Sequence, residues 1–186
     1  MSMAESQHPS DIGRDKNRDR HSRIVVMGVA GCGKTTIGEM IAARLGAEFR
    51  DGDALHPAAN IAKMSAGIPL NDDDRWPWLG TIGEALGSAD GTLIIGCSAL
   101  KRAYRDHIRN SVGGDVIFIH LVGTRDLIAA RMAQRKGHFM PLSLLDSQFA
   151  SLEPPASDET AIAIDIAKSQ SEIVDEAVNA LKGQDR

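Results

Sequence analysis

Gly28-Val29-Ala30-Gly31-Cys32-Gly33-Lys34-Thr35 is the stretch from which the architecture of this chain can be read. The stretch fits G-x-x-x-x-G-K-T at every fixed position. It follows the apolar run Ile24-Val25-Val26-Met27 and opens the helical pattern Thr35-Thr36-Ile37-Gly38-Glu39-Met40-Ile41. Strand, glycine loop and helix in that order are the setting in which this motif cradles phosphates. The glycines let backbone N–H groups turn inward as an anion-binding nest, and the helix N-terminus adds its positive dipole end. Gly28, Val29, Ala30, Gly31, Cys32, Gly33 and Thr36 are therefore candidate ATP-binding positions. Lys34 is the cation that reaches the outer phosphates, and Thr35 offers its hydroxyl to Mg²⁺. The chain is expected to bind a nucleoside triphosphate, and the remaining sequence must say where the third phosphate goes.

Outward from the loop, apolar runs alternate with helical patterns. Strands are expected at Ile24–Met27, Glu48–Asp51, Thr92–Cys97, Val116–Val122 and Ala161–Ile166. Helices are expected at Thr35–Leu45, Pro57–Ser65, Arg75–Leu86, Lys101–Asn110, Asp126–Lys136, Leu142–Ser151 and Ser171–Leu181. Gly46 suits a C-cap, and Pro57 suits a helix start. Strands that read apolar on both faces imply a parallel sheet with helices on both sides, a three-layer α/β sandwich. Ligands of such folds bind beyond the carboxyl ends of the strands. Residues 1–22 are polar and charged and are expected to form a disordered tail, leaving residues 23–186 as one domain.

The whole-chain properties narrow the function. At 186 residues with 42% hydrophobic and 25% charged residues, the chain suits one soluble domain. A net charge of −4 argues against nucleic acid as a partner. No apolar run is long enough to span a membrane. The N-terminus lacks the apolar core of a secretory signal, so the cytoplasm is the expected location. Cys32 and Cys97 fit no metal-ligand spacing, and a disulfide is not expected.

Neither strong apolar strand, Thr92–Cys97 or Val116–Val122, ends in an acid, which counts against mechanical ATPases. The absence of Asp-x-x-Gly and Asn-Lys-x-Asp sequences counts against signalling GTPases. Instead Arg50-Asp51-Gly52-Asp53 closes the second strand. Asp51 is the candidate Mg²⁺ ligand, directly or through water. Asp53 can accept or orient the proton of an acceptor hydroxyl. Arg75, in Asn71-Asp72-Asp73-Asp74-Arg75-Trp76-Pro77-Trp78, is a candidate fork for a carboxylate or phosphate; the two tryptophans read as a packed brace. Cys97-Ser98-Ala99-Leu100-Lys101 places small residues and a cation between a strand and a helix N-terminus. Arg131 and Arg135 share a helix face before the polar stretch Lys136-Gly137-His138. That pattern suits a lid bringing arginines to the transferring phosphoryl group. Cys32, beside Lys34 and inward N–H groups, has two readings: a thiol open to oxidation or an inert small residue.

Together these segments resemble the bacterial-type gluconokinase family. The resemblance rests on Gly28–Thr36, Asp51-Gly52-Asp53-Ala54-Leu55-His56-Pro57, Asn60, Lys63-Met64, Gly67-Ile68-Pro69-Leu70 and Asp72 through Leu79. It continues through Cys97-Ser98-Ala99-Leu100-Lys101, Tyr104-Arg105-Asp106, His138-Phe139-Met140-Pro141 and Ser147-Gln148-Phe149. It implies ATP-dependent phosphorylation of D-gluconate at its 6-hydroxyl. It also implies a P-loop fold similar to shikimate and nucleoside monophosphate kinases, with a five-stranded parallel sheet and a mobile helical lid near residues 136–157. Family members are often homodimers. On this reading Arg75, Lys101 and His138 face the gluconate carboxylate, while Asp53, His56, Lys63 and Ser98 complete the acceptor site. Closure brings in Arg131 and Arg135, and adenine meets Arg131 and the loop after Ile166.

Overall fold

A strand that buries both faces has no polar side to alternate, which is why Ile24–Met27 is unbroken apolar sequence. In the computed structural model, which describes residues 22–134 and 142–184, this run lies in β1 (Arg23–Met27), the middle strand of a sheet ordered β2-β3-β1-β4-β5. The others are β2 (Glu48–Asp51), β3 (Leu93–Gly96), β4 (Ile117–Val122) and β5 (Ala161–Asp165). Every pairing is parallel, with Val25 opposite Ile95 on one side and Phe118 on the other. The five-stranded parallel α/β sandwich expected from the sequence is the fold found.

Alternate β1 residues feed two cores. Ile24 and Val26 pack with α1 (Lys34–Leu45) and α7 (Gln170–Gln184). Val25 and Met27 pack with α3 (Asp72–Gly87) and α4 (Arg102–Val112). All four side chains are fully buried, each contributing about 1.5–3 kcal/mol from removal of apolar area from water. Because β3 and β4 flank β1 on opposite sides, the chain crosses over in opposite directions from the central strand. The crevice this leaves lies at the carboxyl end of β1, where the phosphate loop begins.

Local chemistry sets the helix ends. Gly33 caps α1 with φ 101°, a left-handed conformation that a Cβ disfavours. Its lack of a capping side chain keeps the helix N-terminus open to a ligand. α3 begins at Asp72 rather than Arg75. Asn71 Oδ1 accepts from Asp74 N–H at 2.9 Å while Asp74 Oδ2 accepts from Asn71 N–H at 3.1 Å, a reciprocal capping box. This pulls all three acids into the first turn, where they favour the dipole. Pro57 caps α2 (Ala58–Ser65) from just outside.

α5 (Arg125–Gln134) and α6 (Leu142–Ser151) flank residues 135–141. Arg135 and His138 therefore lie outside the described residues. The described part of the expected lid is tied to the rest of the fold: Leu145 is fully buried. Beyond α6, Glu153 N–H donates to Leu100 O at 2.9 Å, and Glu153 Oε2 accepts from Arg102 N–H at 2.6 Å.

Arg105 clamps this region to α4. Its side chain is fully buried and donates to both Glu159 oxygens, at 2.7 and 2.8 Å. Nη1 also donates to the carbonyls of Ala99, Leu100 and Glu153. The guanidinium holds the Glu159 carboxyl below its ordinary value. Arg105→Met is expected to destabilise the fold by about 3–5 kcal/mol, because Glu159 would remain buried with only Arg109, at 3.2 Å, as a charge partner. Denaturant unfolding of the two proteins measures the loss; a change below about 1 kcal/mol would show that Glu159 finds compensation elsewhere.

Candidate active site

The phosphate loop runs from the end of β1 over the N-terminus of α1. Gly28 N–H donates to Ser98 O at 3.3 Å, joining the loop to the turn after β3. Lys34 Nζ donates to the carbonyls of Gly28 and Val29 at 3.0 and 3.1 Å. The Cys32 side chain packs in the core among neighbours such as Val29, Ile37 and Leu121, where little of it meets solvent.

Thr35 and Asp51 meet across the crevice. Thr35 Oγ1 donates to Asp51 Oδ2 at 3.4 Å, and Asp51 Oδ1 accepts from Asp53 N–H at 3.0 Å. Asp51 thus caps a 3₁₀ turn, Gly52–Leu55, that holds Asp53. The turn lies close over β3: a Cβ on Gly52 would stand 2.5 Å from Gly96 O. Trp78 fixes the turn from the other side, donating Nε1–H to Gly52 O at 2.7 Å. The indole also stacks on His56, with centroids 4.1 Å apart and planes 17° apart.

Asp53, His56, Arg75, Trp78 and Ser98 line one cavity of about 440 Å³, with Met64, Ile68 and Leu144 on its apolar rim. Polar groups thus converge on one wall of a largely apolar cleft, the usual make-up of a small-molecule site. Burial pushes the His56 imidazole below its ordinary value; Asp53 opposes that shift and Arg75 reinforces it. A neutral imidazole suits hydrogen bonding to hydroxyls better than pairing with an anion. Burial also pushes the Cys97 thiol up to about 12, which removes it as a nucleophile at neutral pH.

The two lysines assigned to the acceptor are engaged with acids beside this cavity. Lys63 Nζ pairs with Asp74 Oδ1 at 2.6 Å. Lys101 Nζ pairs with Asp72 at 3.0 Å, and Asp72 also accepts from Tyr104 OH at 2.5 Å and Arg75 Nη1 at 3.4 Å. The Tyr104 hydrogen bond and the Lys101 ammonium hold the Asp72 carboxyl below its ordinary value. Asp72 therefore gathers Arg75 and Lys101 to one point, although 29 residues separate it from Lys101. Buried Asn60 braces the same wall through Asp74 O at 2.8 Å. Sequence reasoning missed Asp72, Asp74 and Tyr104 as site residues; the acids of the Asn71–Asp74 run were the available signal.

Arg131 lies on the opposite side of the loop. Its Nη2 donates to Ile166 O at 2.6 Å. With Gly31, Thr36, Lys168 and Ser169 it lines a second cavity of about 440 Å³. Arg131 and the segment after β5 are thus brought together, on the side of the loop away from Asp53. A larger cavity of about 490 Å³ lies against β4 and β5. Its lining is mainly apolar, and its acid, Glu159, is consumed by Arg105; it is not the site of phosphate chemistry.

The shikimate kinase family model matches residues 30–182. The gluconokinase of Gluconobacter oxydans (strain 621H) is 44% identical over 168 residues, covering 87% of this chain and 92% of that protein. The thermosensitive gluconokinase of Escherichia coli (strain K12) is 48% identical over 162 residues, covering 85% and 86%. The crystal structure of a gluconokinase from Sinorhizobium meliloti 1021 superposes with a TM-score of 0.81 at 50% identity, covering 88% of this chain and 93% of that one. By this family model and these relatives, the chain belongs to the gluconokinase family of ATP-dependent kinases.

Proposed function

We propose that the protein transfers the γ-phosphoryl group of ATP to the 6-hydroxyl of D-gluconate, giving 6-phospho-D-gluconate and ADP. The observation that carries this reading is the placement of Asp53, His56, Arg75 and Ser98 around one cavity beside the phosphate loop. Gluconate is a monoanion with a row of hydroxyls; one guanidinium, two neutral hydrogen-bond partners in His56 and Ser98, and the Asp53 carboxylate as an acceptor match that pattern. Asp53 takes or orients the proton of the attacking hydroxyl, and Lys34 neutralises charge on the transferring group. Lys101, held beside Arg75 by Asp72, adds positive potential to the carboxylate end.

Thr35 and Asp51 fit Mg²⁺, which favours one or two protein oxygens with the balance from phosphates and water. When bound, the ion supplies charge neutralisation to the β- and γ-phosphates. Met64 and Leu144 are apolar yet exposed on the cavity rim, so closure over the acceptor would bury them and exclude water from the transfer. No helix among the described residues is long and apolar enough to cross a membrane, and a reaction between ATP and a free sugar acid suits the cytoplasm.

Coupled ADP release across gluconate, shikimate, nucleoside monophosphates and other sugar acids tests the assignment. Gluconate is expected to give the highest kcat/KM; a higher value for another acceptor would overturn it. Arg75→Ala is expected to raise KM for gluconate about tenfold or more, as loss of a hydrogen bond to a charged group, with little change in KM for ATP. Equal rises for both substrates would remove Arg75 from the acceptor site.

A further inference from the structure

The phosphate loop already has a partner from a distant element. Ala30 N–H donates to Gln148 Oε1 at 2.6 Å, across 118 residues of chain. Gln148 is not a solvent-borne side chain that happens to swing onto the loop. It projects from α6, whose Leu145 is fully buried and whose Phe149 packs against the core. Gln148 thus supplies a side-chain oxygen to the loop, beside the Ser98 carbonyl that holds Gly28 N–H and the Lys34 ammonium that bonds the loop's own carbonyls.

That oxygen accepts from an N–H of the anion nest, as a phosphate oxygen does. The face of α6 that carries Gln148 shows which phosphate is concerned. Leu144 is four residues earlier, on the same face, and lines the acceptor cavity. The base side of the loop, with Arg131 and Ser169, lies elsewhere. Gln148 thus stands on the phosphate loop one helical turn from Leu144 in the acceptor cavity, the side from which a terminal phosphate would meet the acceptor. A side-chain amide carries both an acceptor oxygen and an NH₂ donor, so a half-turn of its last torsion exchanges one for the other.

We infer that Gln148 recognises the terminal phosphate of ATP: without nucleotide its oxygen holds the Ala30 N–H, and with ATP its NH₂ donates to a γ-phosphate oxygen. The inference rests on the kinase reading above but not on the identity of the acceptor. It makes α6 the element that distinguishes ATP from ADP, so that product loses one contact that substrate has.

The test is calorimetric titration of the full chain with ADP and with a non-hydrolysable β,γ-imido ATP analogue, both with Mg²⁺ and without acceptor. Gln148→Ala is expected to weaken the ATP analogue about tenfold to a hundredfold, the loss of one hydrogen bond to a charged group, and ADP by less than about twofold. Gln148→Glu keeps the shape and the acceptor for Ala30 N–H, cannot donate, and repels phosphate. It is expected to weaken the ATP analogue further while sparing ADP. The inference is overturned if ADP loses as much as the ATP analogue, which would mark Gln148 as packing alone, or if neither affinity changes. Because no acceptor is present, failure on the acceptor panel leaves this result standing, and the reverse also holds.

Discussion

Lys34→Met is expected to lower kcat by about 10³-fold, the scale of removing a preorganised donor from a site where charge develops. The substitution keeps the aliphatic stem and deletes only the ammonium. In the structure that ammonium bonds the Gly28 and Val29 carbonyls at 3.0 and 3.1 Å, so it is already held at the mouth of the loop. A triphosphate presents stronger acceptors than two carbonyls, and the ammonium moves to them at little entropic cost. The loop should survive the change. Gly28 N–H remains tied to Ser98 O, and the loop glycines keep their left-handed φ values. The thermal midpoint is expected to shift by no more than about 4 °C. Turnover at saturating ATP, measured beside a melt, checks both statements. A loss of less than about tenfold would assign the charge neutralisation to other groups.

Asp53→Asn is expected to lower kcat by a factor on the order of 10²–10⁴, the usual contribution of a general base. The amide retains the side-chain volume, and the Asp53 N–H that bonds Asp51 belongs to the backbone. Trp78 still holds the turn through Gly52 O. The variant therefore isolates proton acceptance from geometry. Steady-state kinetics with varied gluconate separates the outcomes. A fall in kcat at nearly constant KM supports the base; near-normal kcat with raised KM makes Asp53 a positioning residue.

These two residues illustrate what could be read without a structure. Lys34 and Thr35 belong to a local motif whose spacing alone sets backbone amides, cation and hydroxyl around a phosphate. Asp51 and Asp53 could be singled out as candidates because Asp51 ends a strand and Asp53 lies two residues beyond it in a phosphate-loop protein. The 3₁₀ turn at Gly52–Leu55 could not be, since it depends on Trp78 and on close contact with β3. The start of α3 was misplaced by three residues. The acids of Asn71–Asp74 also suit a helix start, and their reciprocal capping box is what extends α3 to Asp72. Lys63 and Lys101 were assigned to the acceptor without their acid partners, because no local rule announces partners 11 and 29 residues away. Gln148, one amide on an amphipathic helix, carried no chemical signal in isolation.

Local sequence is enough to specify a strand, loop and helix that bind a triphosphate, and a β/α alternation that buries a parallel sheet. Both follow from interactions within a few residues: hydrophobic periodicity, glycine conformations and a fixed order of side chains. Which groups share a cavity depends instead on packing across the whole fold. It set Asp53, His56, Arg75 and Ser98 around one space, tied Arg75 and Lys101 to Asp72, and brought Gln148 to Ala30. Such pairings depend on how the strands order and the helices pack, because hydrogen bonds and ion pairs act over ångströms in space, whatever the distance along the chain.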